Sequence, residues 1–138
     1  MKHFKLTNET KVNAFGVTLF RIELTIDCKW GKVGDKGGFI EKEENLSGNA
    51  WVYGNAWVYG NARVESSNDY CAIQSFGSEN RTTTFFKTKT KEIAVKCGCF
   101  EGSIVDFEAR VKSVHGDNKA GREYMAAIAL VKIKFETL

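Results

Sequence analysis

The most ligand-like stretch of the chain is Arg81-Thr82-Thr83-Thr84-Phe85-Phe86-Lys87-Thr88-Lys89-Thr90-Lys91. On a strand, alternation puts Arg81, Thr83, Phe85 and Lys87 on one side, with Lys89 continuing the row. Cations, hydroxyls and an aromatic ring on one face suit phosphate and base contacts. An edge strand kept from aggregating by its lysines explains the same pattern without a ligand. His115 completes the candidate ligand set; it sits beside Gly116 at an expected helix C-terminus, where the helix dipole favours an imidazolium. A plain helix-cap role is the alternative for it.

Cys97-Gly98-Cys99 invites a metal or redox reading, but the spacing is C-x-C and no second pair follows at zinc-finger distance. Further ligands would have to come from Cys71, Cys28 or His115. On a strand the two thiols share a face, so a core-facing pair followed by Phe100 is expected, with metal binding and a reactive thiol as alternatives. No Walker loop, dinucleotide fingerprint, nucleophile elbow or H-E-x-x-H helix occurs in the sequence. No metal site, cofactor or catalytic residue is assigned, and the chain is read as a non-enzyme.

These residues need elements to hold them. Tyr70 to Phe76, Arg81 to Thr88 and Glu92 to Cys97 read as three antiparallel strands, joined by Gly77-Ser78-Glu79-Asn80 and Lys89-Thr90-Lys91. Ser103 opens a helix with Asp106 in its first turn and Ile104, Phe107, Val111 and Val114 on its buried face; Gly116 ends it. Asp117 or Asn118 caps a second helix running to about Phe135, with Tyr124, Ile128, Val131 and Phe135 at helical spacing. At the other end, strands are expected near Phe4 to Leu6 and from about Val17 to Ile26, with a turn, loop or hairpin arm between. His3 lies in what reads as a flexible N-terminus.

Between these regions the sequence repeats. Gly48-Asn49-Ala50-Trp51-Val52-Tyr53 is followed by Gly54-Asn55-Ala56-Trp57-Val58-Tyr59 and then Gly60-Asn61-Ala62-Arg63-Val64-Glu65. Leu46 and Ile40 extend the frame, so aliphatic residues recur at a period of six. That period fits a coil of short flat faces better than a helix or an unbroken strand. The aliphatic residues and Ala50, Ala56 and Ala62 would point inward. Trp51, Tyr53, Trp57 and Tyr59 flank the valines and would point outward, as an oligomer interface, a surface packed on the C-terminal region, or a ligand-stacking platform.

The repeat resembles the hexapeptide signature of left-handed β-helix proteins. Together with DKGGFIEKEENLSGNAWVYGNAWVYGNARV and the short N-terminal strands, residues 1 to 66 are similar to β-helix proteins of bacterial prophages. The tail, with NRTTTFF, VKCGCFEGSIVDFEARV and HGDN, looks like a domain that accompanies such repeats. The resemblance implies a mainly β plus α+β chain. Residues 1–66 would form N-terminal strands and a short left-handed β-helix stub, and residues 67–138 a three-stranded antiparallel sheet with a C-terminal helical hairpin. Many hexapeptide-repeat proteins are acyltransferases with a histidine base near a subunit interface, but neither His3 nor His115 lies in the repeat.

The chain has 138 residues, 43% of them apolar, enough for one compact domain or two small ones. A net charge of +3 on 27% charged residues lacks the basic excess of a dedicated nucleic-acid binder and excludes an acidic DNA mimic. No segment approaches the roughly 20 apolar residues of a membrane span, and the N-terminus does not read as a signal peptide. The cytoplasm of a bacterial host is therefore expected, with all four cysteines as thiols.

The functional expectation is a phage-type binding protein, homo-oligomeric, that inhibits a host defence by sequestering a nucleotide signal or blocking a host protein. A divergent acyltransferase and a purely structural assembly module are the alternatives.

Overall fold

The computed structural model describes residues 2–136. Two four-stranded sheets are followed by two helices in an α+β fold. The first sheet runs β1 (Phe4–Val12), β2 (Thr18–Leu24), β3 (Lys36–Ile40) and β4 (Trp57–Val58), neighbour to neighbour. The first two pairings are antiparallel and β3–β4 is parallel. The second sheet is a fully antiparallel meander of β5 (Tyr70–Phe76), β6 (Arg81–Lys87), β7 (Ile93–Cys97) and β8 (Phe100–Ser103). Helices α1 (Ile104–Val114) and α2 (Lys119–Lys134) close the chain.

The repeat behaves differently from the solenoid its period suggests. Ile40, Leu46, Val52, Val58 and Val64, with Ala50, Ala56 and Ala62, are all buried in one core. Ile40 pairs with Val58 and Leu46 bridges Val64, both in parallel, so residues three repeat units apart lie side by side. Gly48, Gly54 and Gly60 each turn a corner at φ near +60°. Yet this is no left-handed β-helix: the repeat contributes only the two-residue β4 to a mixed sheet.

The physical reason is that the repeat is too short to pair only with itself: Leu46 bridges Val64, but the other backbone groups must find partners in neighbouring strands. On one side β3 takes them: Phe39 N–H donates to the Ala56 carbonyl and Glu41 N–H to that of Val58. On the other side β6 and the turn after it do so. Trp57 N–H donates to Thr84 Oγ1 at 3.1 Å, Arg63 N–H to the Lys87 carbonyl, and Lys89 N–H to the Asn61 carbonyl. Inside the corners, Asn45 is fully buried and fully satisfied. Its Oδ1 accepts from Glu41 and Lys42 N–H, and its Nδ2 donates to the Gly60 and Ala62 carbonyls.

Other expectations are corrected alongside. The second sheet has four strands rather than three, because Gly98, at φ +56°, reverses the chain and brings Phe100 back opposite Cys97. That turn separates the two thiols: Cys97 is half-buried and Cys99 exposed, so they are not a core-facing pair. His3 is not in a loose end; its Nε2 lies 2.7 Å from the Ala50 carbonyl, beside the buried Phe4. On α1, Ile104, Phe107 and Val111 are buried but Val114 is 60% exposed. The helix caps are Ser103 Oγ, accepting from Asp106 N–H, and Asn118 Oδ1, accepting from Gly121 N–H. Among the described residues no helix is long and apolar enough to cross a membrane.

Strand β6 joins the halves. Adjacent side chains on a strand point to opposite faces. Phe86 enters the core of the repeat, together with Tyr70, while Phe85 enters the core formed with α1 and α2. A polar clasp lies beside them: the Glu101 carboxylate accepts from Asn13 Nδ2 at 2.9 Å and lies 3.9 Å from Lys96 Nζ, itself 4.6 Å from the Trp57 ring centroid. Burial, and then the Glu101 carboxylate, push the Tyr59 hydroxyl far above the ordinary tyrosine range.

Two outcomes are expected. Phe85→Ala and Phe86→Ala each cost about 3–5 kcal/mol in urea unfolding, because each empties a different core. Burial also pushes the Tyr70 hydroxyl up to about 12, against an ordinary 10.0. The native state holds this proton where the unfolded chain has released it, so the stability is intact below about pH 10 and is lost as pH rises toward 12. Urea midpoints measured across that range fall, and Tyr70→Phe flattens the fall; an equal slope in the variant contradicts the assignment.

Candidate ligand-binding groove

The second sheet and the helices enclose a groove built around Tyr124. This residue lies on the buried face of α2, 5% exposed, with its ring against Phe76 and Phe107 at centroid distances of 5.4 and 5.7 Å. Its hydroxyl accepts from Ser78 N–H at 3.2 Å. One residue earlier, Glu123 accepts from Gly77 N–H at 2.7 Å, so α2 grips the β5–β6 turn with two successive side chains. His115, at the C-terminal cap of α1, stacks on the Tyr124 ring at 5.4 Å with an interplanar angle of 29°.

The groove encloses about 400 Å³. Phe100, Phe107, Val111 and Val114 supply its apolar wall, and Arg81, Thr83, Cys97, Arg110 and His115 its polar groups. Thr83 Oγ1 donates to Cys97 Sγ at 3.2 Å, which leaves both groups partnered. Arg81 and Arg110 line the groove together with one carboxylate, Glu79, whose contact with Arg81 is a loose 3.9 Å between exposed groups. Such a pair is easily exchanged for a better anion. Arg81 also lies directly over the Gly98 backbone, where an added Cβ would stand 2.7 Å from its Nη1.

The structure brings together Arg81, Thr83 and His115 of the sequence-derived ligand set. Phe85 lies beneath them, fully buried, edge-on to Phe107 at 6.1 Å. Lys87 is elsewhere, with its ammonium 3.8 Å from Asp69 and over the Phe135 ring. Sequence reasoning missed Arg110, which reads as an ordinary solvated helix position although it follows Phe107 by one helical turn. It also missed Tyr124 as a wall, having assigned it only to a core face.

The four aromatics of the repeat do not form one outward surface. Trp51 is 1% exposed, its ring against Gly37 where even a Cβ would approach within 2.6 Å. The Gly37-Gly38 pair thus opens a slot that turns this tryptophan inward, correcting its outward assignment. Trp57 is half-buried between Phe39 and Lys96, and Tyr59 packs edge-on to Phe86 at 5.6 Å. Only Tyr53 stays exposed, 6.1 Å from Trp30.

Among the described residues, no three His, Cys, Asp or Glu side chains converge as metal ligands would. No family model, curated protein or solved structure matches the chain, so with the solenoid gone nothing carries the prophage and host-defence reading, which is withdrawn.

Tyr124→Phe tests the groove's construction. Loss of the hydroxyl orphans the Ser78 N–H and costs about 1–3 kcal/mol in thermal or urea unfolding.

Proposed function

We propose that the groove binds a small ligand carrying a planar ring and an anionic group, a nucleotide in the simplest case, and that the protein acts by holding it rather than by transforming it. One observation carries this reading: two arginines line an aromatic-walled cavity whose one lining carboxylate, Glu79, is loosely held. The volume lies within the usual range for small-molecule sites, about 300–1,000 Å³. Arginine forks suit phosphate oxygens, and the Tyr124–His115 stack and Phe107 suit a base.

Binding without catalysis is supported by how the reactive groups are occupied. The Cys97 thiol is held by Thr83, and the His115 ring lies against Tyr124. An acyltransferase reading gains nothing from a histidine so far from the repeat in sequence. The four free thiols suit a reducing compartment such as the cytoplasm.

Calorimetric titration with nucleoside 5′-monophosphates is expected to give saturable binding. Arg81→Ala and Arg110→Ala each weaken it about tenfold, the loss of one charge-assisted contact. Lys87→Ala, whose cation faces Asp69, leaves it unchanged. No binding to any monophosphate, or equal affinity in the double arginine variant, overturns the proposal.

A further inference from the structure

A separate cavity, of about 340 Å³, lies where the tip of the β1–β2 hairpin and Tyr59 of the repeat meet the β7–β8 side of the second sheet. Phe15, Tyr59 and Phe86 line it, and its two charged side chains, Glu92 and Glu101, are both carboxylates. Among the described residues no lysine, arginine or histidine lines it, although the chain carries a net charge of +3. Lys96 Nζ stands 3.9 Å from the Glu101 carboxylate, but it is turned toward the Gly98 carbonyl and the Trp57 ring, outside this lining. The arginine-lined groove and this cavity are opposite in sign.

A built turn places the aromatic ring at the cavity mouth. Phe15 is 76% exposed, yet the buried Asn13 fixes its backbone: Oδ1 accepts from Phe15 N–H and Val17 N–H, both at 2.9 Å. Asn13 Nδ2 and Ala14 N–H in turn donate to the two oxygens of Glu101, whose side chain is 4% exposed. The buried carboxylate thus holds the hairpin tip, and with it Phe15, against the second sheet. Among the described residues, cations stand over the rings of Phe4, Phe39, Trp30, Trp57 and Phe135, and none over Phe15, Tyr59 or Phe86.

We infer that this cavity binds a small, fully alkylated ammonium ion of about the size of choline. Such a cation is drawn to the faces of aromatic rings and to negative charge, and it needs no hydrogen-bond acceptor. Here the charge is present but the acceptors are taken. Both Glu101 oxygens serve the hairpin tip, and Glu92 Oε1 accepts from Thr90 Oγ1 at 2.9 Å. A primary ammonium brings three donors that must replace their bonds to water, and the cavity serves them poorly. The volume lies near the lower end of the usual range for small-molecule sites, about 300–1,000 Å³. The inference is independent of the nucleotide reading, which concerns a different cavity.

The test is a nuclear magnetic resonance titration, read at the backbone amides of Ile93, Gly102 and Ser103, which line the cavity. The probes are choline, its primary-amine counterpart ethanolamine, and the neutral alcohol in which carbon replaces the choline nitrogen. Choline is expected to give saturable shifts, with the other two binding about tenfold more weakly. Phe15→Leu keeps an apolar side chain without a ring face, and Glu92→Gln keeps the shape without the charge. Each is expected to weaken choline about threefold. Both positions are exposed, so the spectrum away from the cavity stays as in the wild type.

Binding of the neutral alcohol as tight as that of choline overturns the inference and leaves an apolar recess. Ethanolamine binding as tightly as choline overturns it as well, because charge alone then suffices. Absence of saturable shifts with choline, shifts confined to other parts of the protein, or unchanged affinity in both variants each overturn it too.

Discussion

Everything in this fold passes through one pair of neighbouring side chains. Phe85 and Phe86 occupy consecutive positions on β6 and therefore point to opposite faces, one into the helix-covered core and one into the core of the repeat. The same strand supplies Thr84 to the backbone of Trp57, Thr83 to Cys97 and Arg81 to the groove. A strand with both faces buried has no freedom to slide, since a one-residue slip would exchange the two phenylalanines. The groove inherits its precision from that constraint.

How much of this was legible depends on whether local pattern or distant contact decided the outcome. The helices were written locally, in Ser103 and Asn118 as caps and in the spacing of Phe107, Val111, Tyr124 and Ile128. The inward positions of the repeat were equally plain, because a six-residue period says which side chains share a direction. What the period does not say is what lies alongside, and there β3 and β6 took the place of further repeat turns. Trp51 misled for a related reason: its inward slot exists only because Gly37 approaches it from another strand.

The site was legible in part on the same grounds. Alternation put Arg81 and Thr83 on one side, and both line the groove, whereas Lys87, four residues further along β6, lies in a different neighbourhood, against Asp69 and Phe135. Arg110 and Tyr124 had no signature, because a wall made by a helix crossing a sheet depends on packing between elements distant in sequence. Cys97-Gly98-Cys99 was read as a continuous strand when its glycine is a hairpin corner. That error hid β8, and with it the corner over which Arg81 lies.

The parallel pairing of Ile40 with Val58 and of Leu46 with Val64 sets a rule for how such a chain could change in length. Partners are separated by three six-residue units, so the chain comes back alongside itself after eighteen residues. Inserting a single unit would put these pairs out of step and carry Trp57 and Arg63 away from the β6 groups that hold them. The tolerated length of this segment is therefore set by two attachments at once, its own parallel pairing and its grip on the second sheet.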